Sequence, residues 1–339
     1  MKDILTILRN RYDDSKSSIL ALIVDDKGSA PRGAGAAMVV GKKGLISGTI
    51  GGGNLEYQST KIAQQLLIEG ESKLEHFCLS PNQVADLGMI CGGDVDVLFL
   101  YIPMADDSIG TLLNDAFEAM KSRRAAWLIM PLDCSGLGLY TAEKGIYGVD
   151  IPGEISEKLA ACRQGVLELC GKECYVQQLL ECGIIYLFGG GHLTKELVPV
   201  LAHMDFRCIV ADDRVEFCRP ERFPEAEAVQ IVDYAKLEGV FNIRAEDYIC
   251  IMTRGHLGDY DCESYALSTP AGYIGVVGSS RKIATINEKL LAEGFTKEDI
   301  ERVTTPIGLD IMSETPPEIA ISIAAQLVLH RAKRREEWL

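Results

Sequence analysis

The sequence predicts an α/β protein with a parallel-sheet domain at its C-terminal end and an α+β domain before it. Three observations carry that reading. Ile184 to Phe188 is a short apolar run of the kind a strand buried on both faces needs, and it stops at Gly189-Gly190-Gly191. Leu193, Leu197, Val200 and Leu201 then recur at helical spacing. A second apolar run, Cys208 to Ala211, ends on Asp212 and Asp213. Strand, glycine turn, helix, strand, acid is the opening unit of a Rossmann-like fold.

The chemistry of that unit is specific. Glycines let the backbone approach a phosphate closely, and the free N–H groups at the helix N-terminus face the anion. An acid at the end of the second strand, about 20 residues on, accepts from a ribose hydroxyl, and Asp212 stands where that requires. Gly189, Gly190, Gly191 and His192 are therefore cofactor-binding candidates together with Asp212. Thr194 replaces the third glycine of the fingerprint, which predicts looser packing of helix on strand. A Rossmann-like unit that binds no dinucleotide is the alternative.

Composition narrows the function classes. A chain of 339 residues with 47% hydrophobic and 24% charged residues has room for two domains, expected at 1–180 and 181–339. A net charge of -15 argues against a nucleic-acid binder, which needs a basic face. No apolar run reaches a bilayer span, and Met1-Lys2-Asp3 does not open a signal peptide, so no membrane role and a cytoplasmic location are expected. Eleven cysteines lack any C-x-x-C pairing, so no metal site is expected and most thiols read as small buried hydrophobes.

In chain order, Lys2 to Arg11 predicts a helix and Ile19 to Val24 a strand. A loop of glycines, Pro31 and the cation Arg32 follows, then the hairpin Ala36–Val40 and Leu45–Ile50 about Gly41-Lys42-Lys43-Gly44. That hairpin meets Gly51-Gly52-Gly53-Asn54, and the helix Leu55 to Glu69 begins. A glycine triplet between strand and helix reads either as tight packing or as a cradle of backbone amides. Lys73 to Leu79 and Asp94 to Ile102 predict strands, and Cys91-Gly92-Gly93 leaves a sterically open thiol. Residues 111 to 179 echo residues 2 to 79: helix Thr111–Arg123, strand Ala125–Pro131, turn Glu143–Gly148, helix Glu154–Leu169 and strand Lys172–Leu179, without the glycine triplet.

Past Asp213, Arg214 to Pro224 reads as a charged loop, and Val229–Val232, Tyr248–Met252 and Tyr273–Val277 as further strands. Loops beyond the carboxyl ends of parallel strands line the ligand crevice, which puts Arg254 and His256 in contact range. Gly278-Ser279-Ser280-Arg281-Lys282 opens a helix, Ile283 to Glu293, and reads either as an anion site or as a serine cap with solvated cations. Thr315-Pro316-Pro317-Glu318 is a capping box before a helix, Ile319 to His330, that reads as apolar on most faces.

Taken together, these phrases resemble a known family. Gly28-Ser29-Ala30-Pro31-Arg32, Gly48-Thr49-Ile50-Gly51-Gly52-Gly53-Asn54-Leu55-Glu56 and Cys91-Gly92-Gly93 resemble the N-terminal signature of the XdhC/CoxI family. Phe188 to His192, Ile274 to Lys282, Pro306 to Ile311 and Thr315 to Ala320 resemble its Rossmann domain. The resemblance implies a maturation factor, a homo-oligomer, for xanthine dehydrogenase-type enzymes. Such a factor binds the molybdenum cofactor (molybdopterin), shelters it while a cysteine desulfurase supplies sulfur, and hands it to the molybdenum hydroxylase apo-enzyme. It implies cofactor contacts from Arg32, Gly51, Gly52, Gly53, Asn54, Glu56, Arg254, Ser279, Ser280 and Arg281, with Cys91 as the reactive residue. Two departures stand: Thr253-Arg254-Gly255-His256 is not the histidine-rich form, and residues 106 to 180 match little. The alternatives are an NAD(P)-dependent oxidoreductase and an interaction protein with a vestigial Rossmann unit.

Overall fold

The computed structural model describes residues 1–28, 32–78, 93–104, 106–179 and 183–336, without the side chains of 256, 257, 280, 335 and 336. It divides into two compact units, Met1–Glu181 and Cys182–Glu337.

Unit 1 opens with α1 (Lys2–Asp13), then β1 (Ser18–Gly28), β2 (Ala37–Gly41), β3 (Gly44–Gly48), α2 (Gly53–Glu69), β4 (Lys73–Cys78) and β5 (Gly93–Ile102). These strands form one antiparallel sheet in the order β3-β2-β1-β5-β4. The second half repeats the plan with α3 (Asp107–Lys121), β6 (Ala126–Pro131), β7 (Gly138–Thr141), β8 (Gly145–Tyr147), α4 (Ser156–Ala160), β9 (Gln164–Leu169) and β10 (Lys172–Gln178). Its order is β8-β7-β6-β10-β9, the same path strand for strand.

Period-two patterning explains how both sheets share one core. Leu20, Leu22 and Val24 of β1 join Leu128 and Met130 of β6 in a cluster closed by α1 and α3. The alternate residues Ile19, Ala21 and Ile23 face the other way, under α2. Trp127 and Ile129 do the same in the second half, beside Leu159 of α4.

The second half corrects one expectation. Residues 154–169 are not a single helix: α4 stops at Ala160 and 164–169 is a strand paired with β10. Ile155, Leu159, Val166 and Leu169 do recur at helical spacing, so the local pattern was ambiguous. The hairpin turn decides it, because Cys170 and Gly171 both hold positive φ, 52° and 85°, which a tight two-residue connection demands. As a result Lys172–Gln178 occupies the place of β5 and not that of β4.

Unit 2 runs β11 (Ile184–Phe188), α5 (His192–His203), β12 (Arg207–Asp212), β13 (Ala228–Ile231), β14 (Tyr248–Ile251), α6 (His256–Leu267), β15 (Tyr273–Val276), α7 (Ser280–Ala292), α8 (Lys297–Glu301), β16 (Val303–Thr304) and α9 (Pro316–Glu336). All pairings are parallel, in the order β13-β12-β11-β14-β15-β16. Strand order therefore reverses between β11 and β14, and a crevice opens at their carboxyl ends. The sheet is buried on both faces, with Ile185 and Leu187 toward α5 and α9, and Tyr186 and Phe188 toward α6 and α7.

α9 is less apolar than its sequence suggests. Ala320, Ile323, Ala324 and Leu327 form one buried stripe, whereas Ile321 and Leu329 are exposed. Glu318 accepts the Thr315 N–H at 2.8 Å, the reciprocal half of the expected capping box.

The approach of β11 to β14 rests on one glycine. Gly189 has φ +111°, and a Cβ there would strike the Met252 carbonyl oxygen. Gly191 has φ -71° and open space around it. Gly189→Ala is expected to lose about 3 kcal/mol or more, since neither the backbone angle nor the main chain at Met252, just after β14, can yield. Gly191→Ala should lose less than about 1 kcal/mol, a weak cap effect. Urea unfolding followed by circular dichroism separates the two, and equal losses would refute the argument.

Candidate functional site

Four strand ends meet at the crevice of unit 2. β11 delivers Gly189–Gly191 and the start of α5, β12 delivers Asp212, β14 leads into Thr253 and Arg254, and β15 leads into Gly278 and Ser279. Because all four strands are parallel, these residues share one edge of the sheet.

At the end of β12, Asp212 is sealed inside the fold. Its relative exposure is 0%. Its Oδ2 accepts the Gly190 N–H at 2.7 Å and Arg214 Nη2 at 2.7 Å. Its Oδ1 accepts the Arg214 N–H at 3.0 Å and Nε at 2.8 Å. A carboxylate has about four lone-pair sites, and all are used. Burial raises its pKa, but the Arg214 guanidinium and the Gly190 N–H outweigh that and hold it below the usual range. Asp213 beside it is exposed, and burial together with the Asp212 charge pushes its carboxyl up.

The loop after β12 completes the closure. Arg214 lies 3.7 Å from the Phe217 ring centroid and Arg222 5.0 Å from it. A Cβ on Gly190 would meet the Phe217 carbonyl oxygen at 2.8 Å, so what approaches Gly190 is the chain itself. Gly191 differs, because nothing stands within 4 Å of its Cβ position. It is the N-cap of α5 with no side-chain cap, and His192 next to it is exposed. The crevice is thus closed at Asp212 and open beside Gly191. Thr194, in place of the third glycine, does not loosen the packing as expected: it is fully buried and its hydroxyl donates to the Gly189 carbonyl.

Across the crevice, Asp259 of α6 is fully buried and pairs with Lys282 of α7. It accepts the Thr253 hydroxyl at 2.5 Å and the Thr253 N–H at 3.2 Å, which fixes the loop that presents Arg254. Burial lowers the Lys282 pKa. One turn along α6, burial raises the Glu263 carboxyl to about 7. Arg254 and Arg281 are exposed. Ser279 is the N-cap of α7 and accepts the Lys282 N–H at 3.4 Å, as the cap reading expects, but of the two cations expected in solvent only Arg281 is exposed, Lys282 being paired with Asp259. The side chains of His256 and Ser280 lie outside those described.

Unit 1 holds the second glycine triplet. Gly51, Gly52 and Gly53 all have positive φ, at 124°, 75° and 59°, and a Cβ on Gly52 would meet nothing within 4 Å. Glu56 accepts the Thr49 hydroxyl at 2.5 Å, and Thr49 accepts the Gly51 N–H at 3.2 Å. The glutamate therefore sets the shape of the loop. Asn54 accepts from Gln58 at 3.4 Å, and Arg32 is exposed. Cys91 and residues 29–31 lie outside the described residues.

Sequence reasoning missed Arg214, Phe217 and the Asp259–Lys282 pair. The signal for Arg214 was present, an arginine two residues after the strand-end acid. Phe217 carries no local signal, and Asp259, three residues after His256, gives no sign that it pairs with Lys282, because only the fold brings them together. Among the described residues, no three His, Cys, Asp or Glu side chains are grouped to hold a metal ion, and no helix is long and apolar enough to cross a membrane.

A Rossmann-like unit whose crevice is open beside Gly191, joined to an α+β unit of repeated topology, defines the class. Residues 185–327 match the family described as XdhC Rossmann domain, and residues 13–78 match the XdhC and CoxI family. The chain belongs to the XdhC/CoxI family. It is 24% identical over 330 residues to a Bacillus subtilis protein named as a probable xanthine dehydrogenase component, covering 97% of both chains. It is 24% identical to Escherichia coli YqeB over 310 residues, 91% of this chain but only 42% of that relative's length. A crystal structure described as a xanthine dehydrogenase, from Bacillus halodurans, shares the fold with a TM-score of 0.81 at 24% identity, covering 97% of this chain and 96% of the other.

The buried acid sets a pH prediction. A depressed folded pKa contributes stability that is present above the unfolded value, about 3.9, and is lost as pH falls through the folded one. Asp212→Asn should cost about 2–4 kcal/mol at neutral pH, because Arg214 loses its buried partner and keeps only the 3.6 Å contact with exposed Asp213. It should also flatten the acid limb of the stability curve below about pH 4. Urea midpoints measured from pH 7 to pH 3 check both, and an unchanged acid limb would count against the pairing.

Proposed function

We propose that this chain is an accessory factor for a molybdenum hydroxylase of the xanthine dehydrogenase type. It binds the molybdenum cofactor as cargo, protects it during sulfuration and delivers it to the apo-enzyme. Family membership and the name of the Bacillus subtilis relative support the xanthine dehydrogenase association. One observation favours a phosphorylated pterin over a nicotinamide dinucleotide: the crevice is open at Gly191 and closed at Asp212. A dinucleotide needs a ribose acceptor at the end of the second strand, and Asp212 has none of its four sites left. The phosphate of a pterin needs only the amides at the α5 N-terminus and a nearby cation, a role that suits Arg254.

In this reading, Gly191 and His192 hold the phosphate, with Arg254 and Arg281 as counter-charges that act at short range against the acidic whole. Within unit 1, Arg32, Gly51, Gly52, Gly53, Asn54 and Glu56 are a separate set of candidate cofactor contacts. Cys91 supplies a thiolate for cofactor retention or sulfuration. The partners are a cysteine desulfurase and the apo-hydroxylase, in the cytoplasm, and the factor works as a homo-oligomer.

Titration of the purified chain with molybdenum cofactor and with NAD(P)H tests this reading. Cofactor binding without nicotinamide binding is expected, and the reverse would establish the oxidoreductase alternative, with Asp213 as the ribose acceptor. Gly190→Val is a poor probe because its side chain would strike Phe217. Gly191→Val is the better one: it should fold normally and bind cofactor at least about ten-fold more weakly, roughly the loss of 1.4 kcal/mol. Cys91→Ala should fold normally and deliver less active cofactor to the apo-hydroxylase in a reconstitution assay. Unchanged delivery would remove Cys91 from the mechanism.

A further inference from the structure

The connection from β13 to β14 leaves one stretch of unit 2 thinly covered. Residues 232–247 contain a single 3₁₀ turn, Tyr234–Lys236, on the face that α6 and α7 cover elsewhere. Beside it a groove of about 750 Å³ runs along α6. Its apolar lining includes Phe241, Tyr260 and Tyr265, and its acidic lining Glu238, Asp261 and Glu293.

The aromatic lining is pre-organised. Phe188, the last residue of β11, meets Phe241 at 5.7 Å and Tyr265 at 6.2 Å between ring centroids, both edge to face. Tyr186 meets Phe241 at 5.3 Å. Rings locked in this way give up little freedom when a partner docks. One of these rings already carries a cation, since Lys289 Nζ of α7 lies 3.2 Å from the Tyr260 ring centroid. The Tyr260 phenol is buried beside the Glu293 carboxylate. No ion pair among the described residues neutralises Glu238, Asp261 or Glu293.

We propose that this groove docks a cationic segment of a partner protein, an extended peptide with arginine or lysine heads between the carboxylates and stems on Phe241 and Tyr265. The complementarity is of charge and of shape, because aromatic faces flanked by carboxylates select guanidinium and ammonium groups. The length fits too. From Tyr260 in α6 to Ser268, its C-cap, the helix runs roughly 12 Å at 1.5 Å per residue, which matches about four residues of extended chain. The groove lies along the side of α6, whereas the phosphate cradle lies at the strand ends, so this proposal does not depend on the cofactor reading.

The test is fluorescence anisotropy of a labelled Arg-Ala-Arg-Arg peptide titrated with the full chain. Saturable one-to-one binding that weakens with salt is expected. Glu238→Gln with Asp261→Asn should weaken it about ten-fold, and Tyr265→Ala should weaken it as well. Asp107→Asn with Glu118→Gln, on exposed positions of α3, removes the same charge and should leave affinity within about two-fold. Equal loss in both double variants would mean that diffuse negative charge binds the peptide, and the proposal fails. It fails too if binding does not saturate, or if the groove variants turn an oligomer into monomers in sedimentation, which would make a second copy the occupant.

Discussion

A buried carboxylate has to be neutralised where it lies, and the way Asp212 is neutralised shapes the whole crevice. Its oxygens take the Gly190 N–H on one side and the Arg214 guanidinium on the other. That clamp ties the end of β12 to the glycine turn of β11 and draws the following loop over the turn, with Phe217 stacked under Arg214. A charge left unpaired in that place would cost several kcal/mol, so the loop, the turn and the acid are held as one piece. The glycine turn is thereby divided: Phe217 closes on Gly190, while the space beside Gly191 stays open.

The opposite wall follows the same logic with other residues. Asp259 is buried, and its charge is met by Lys282 while its second role is to hold Thr253. Two internal ion pairs, one on each side of the strand-order reversal, fix the loops that a ligand would touch. Loops held in this way lose little freedom when a ligand arrives.

Unit 1 shows how one plan can be used twice to different ends. Both halves have the same strand path and share a core built from alternate residues of β1 and β6. Only the first half keeps three glycines with positive φ before its helix. In the second half the helix shrinks to Ser156–Ala160, and the chain between sheet and helix carries side chains instead. The same strand path thus carries a three-glycine loop in one half and not in the other.

How much of this was legible beforehand depends on the range of the forces involved. Apolar runs, glycine turns and the Thr315 capping box are local, so the order of residues was enough to specify the Rossmann-like unit, its strand ends and the family phrases. Pairing is not local. Residues 154–169 carry a helical pattern, yet a positive-φ turn at Cys170-Gly171 and the edge of β10 make a strand of their second half. It took the folded chain to establish that Asp212 faces Arg214 and not a ligand, that Phe217 covers Gly190, and that Asp259 meets Lys282. Those outcomes depend on which charge a buried acid finds within reach, and that is fixed by the packing of strands and loops distant in the chain.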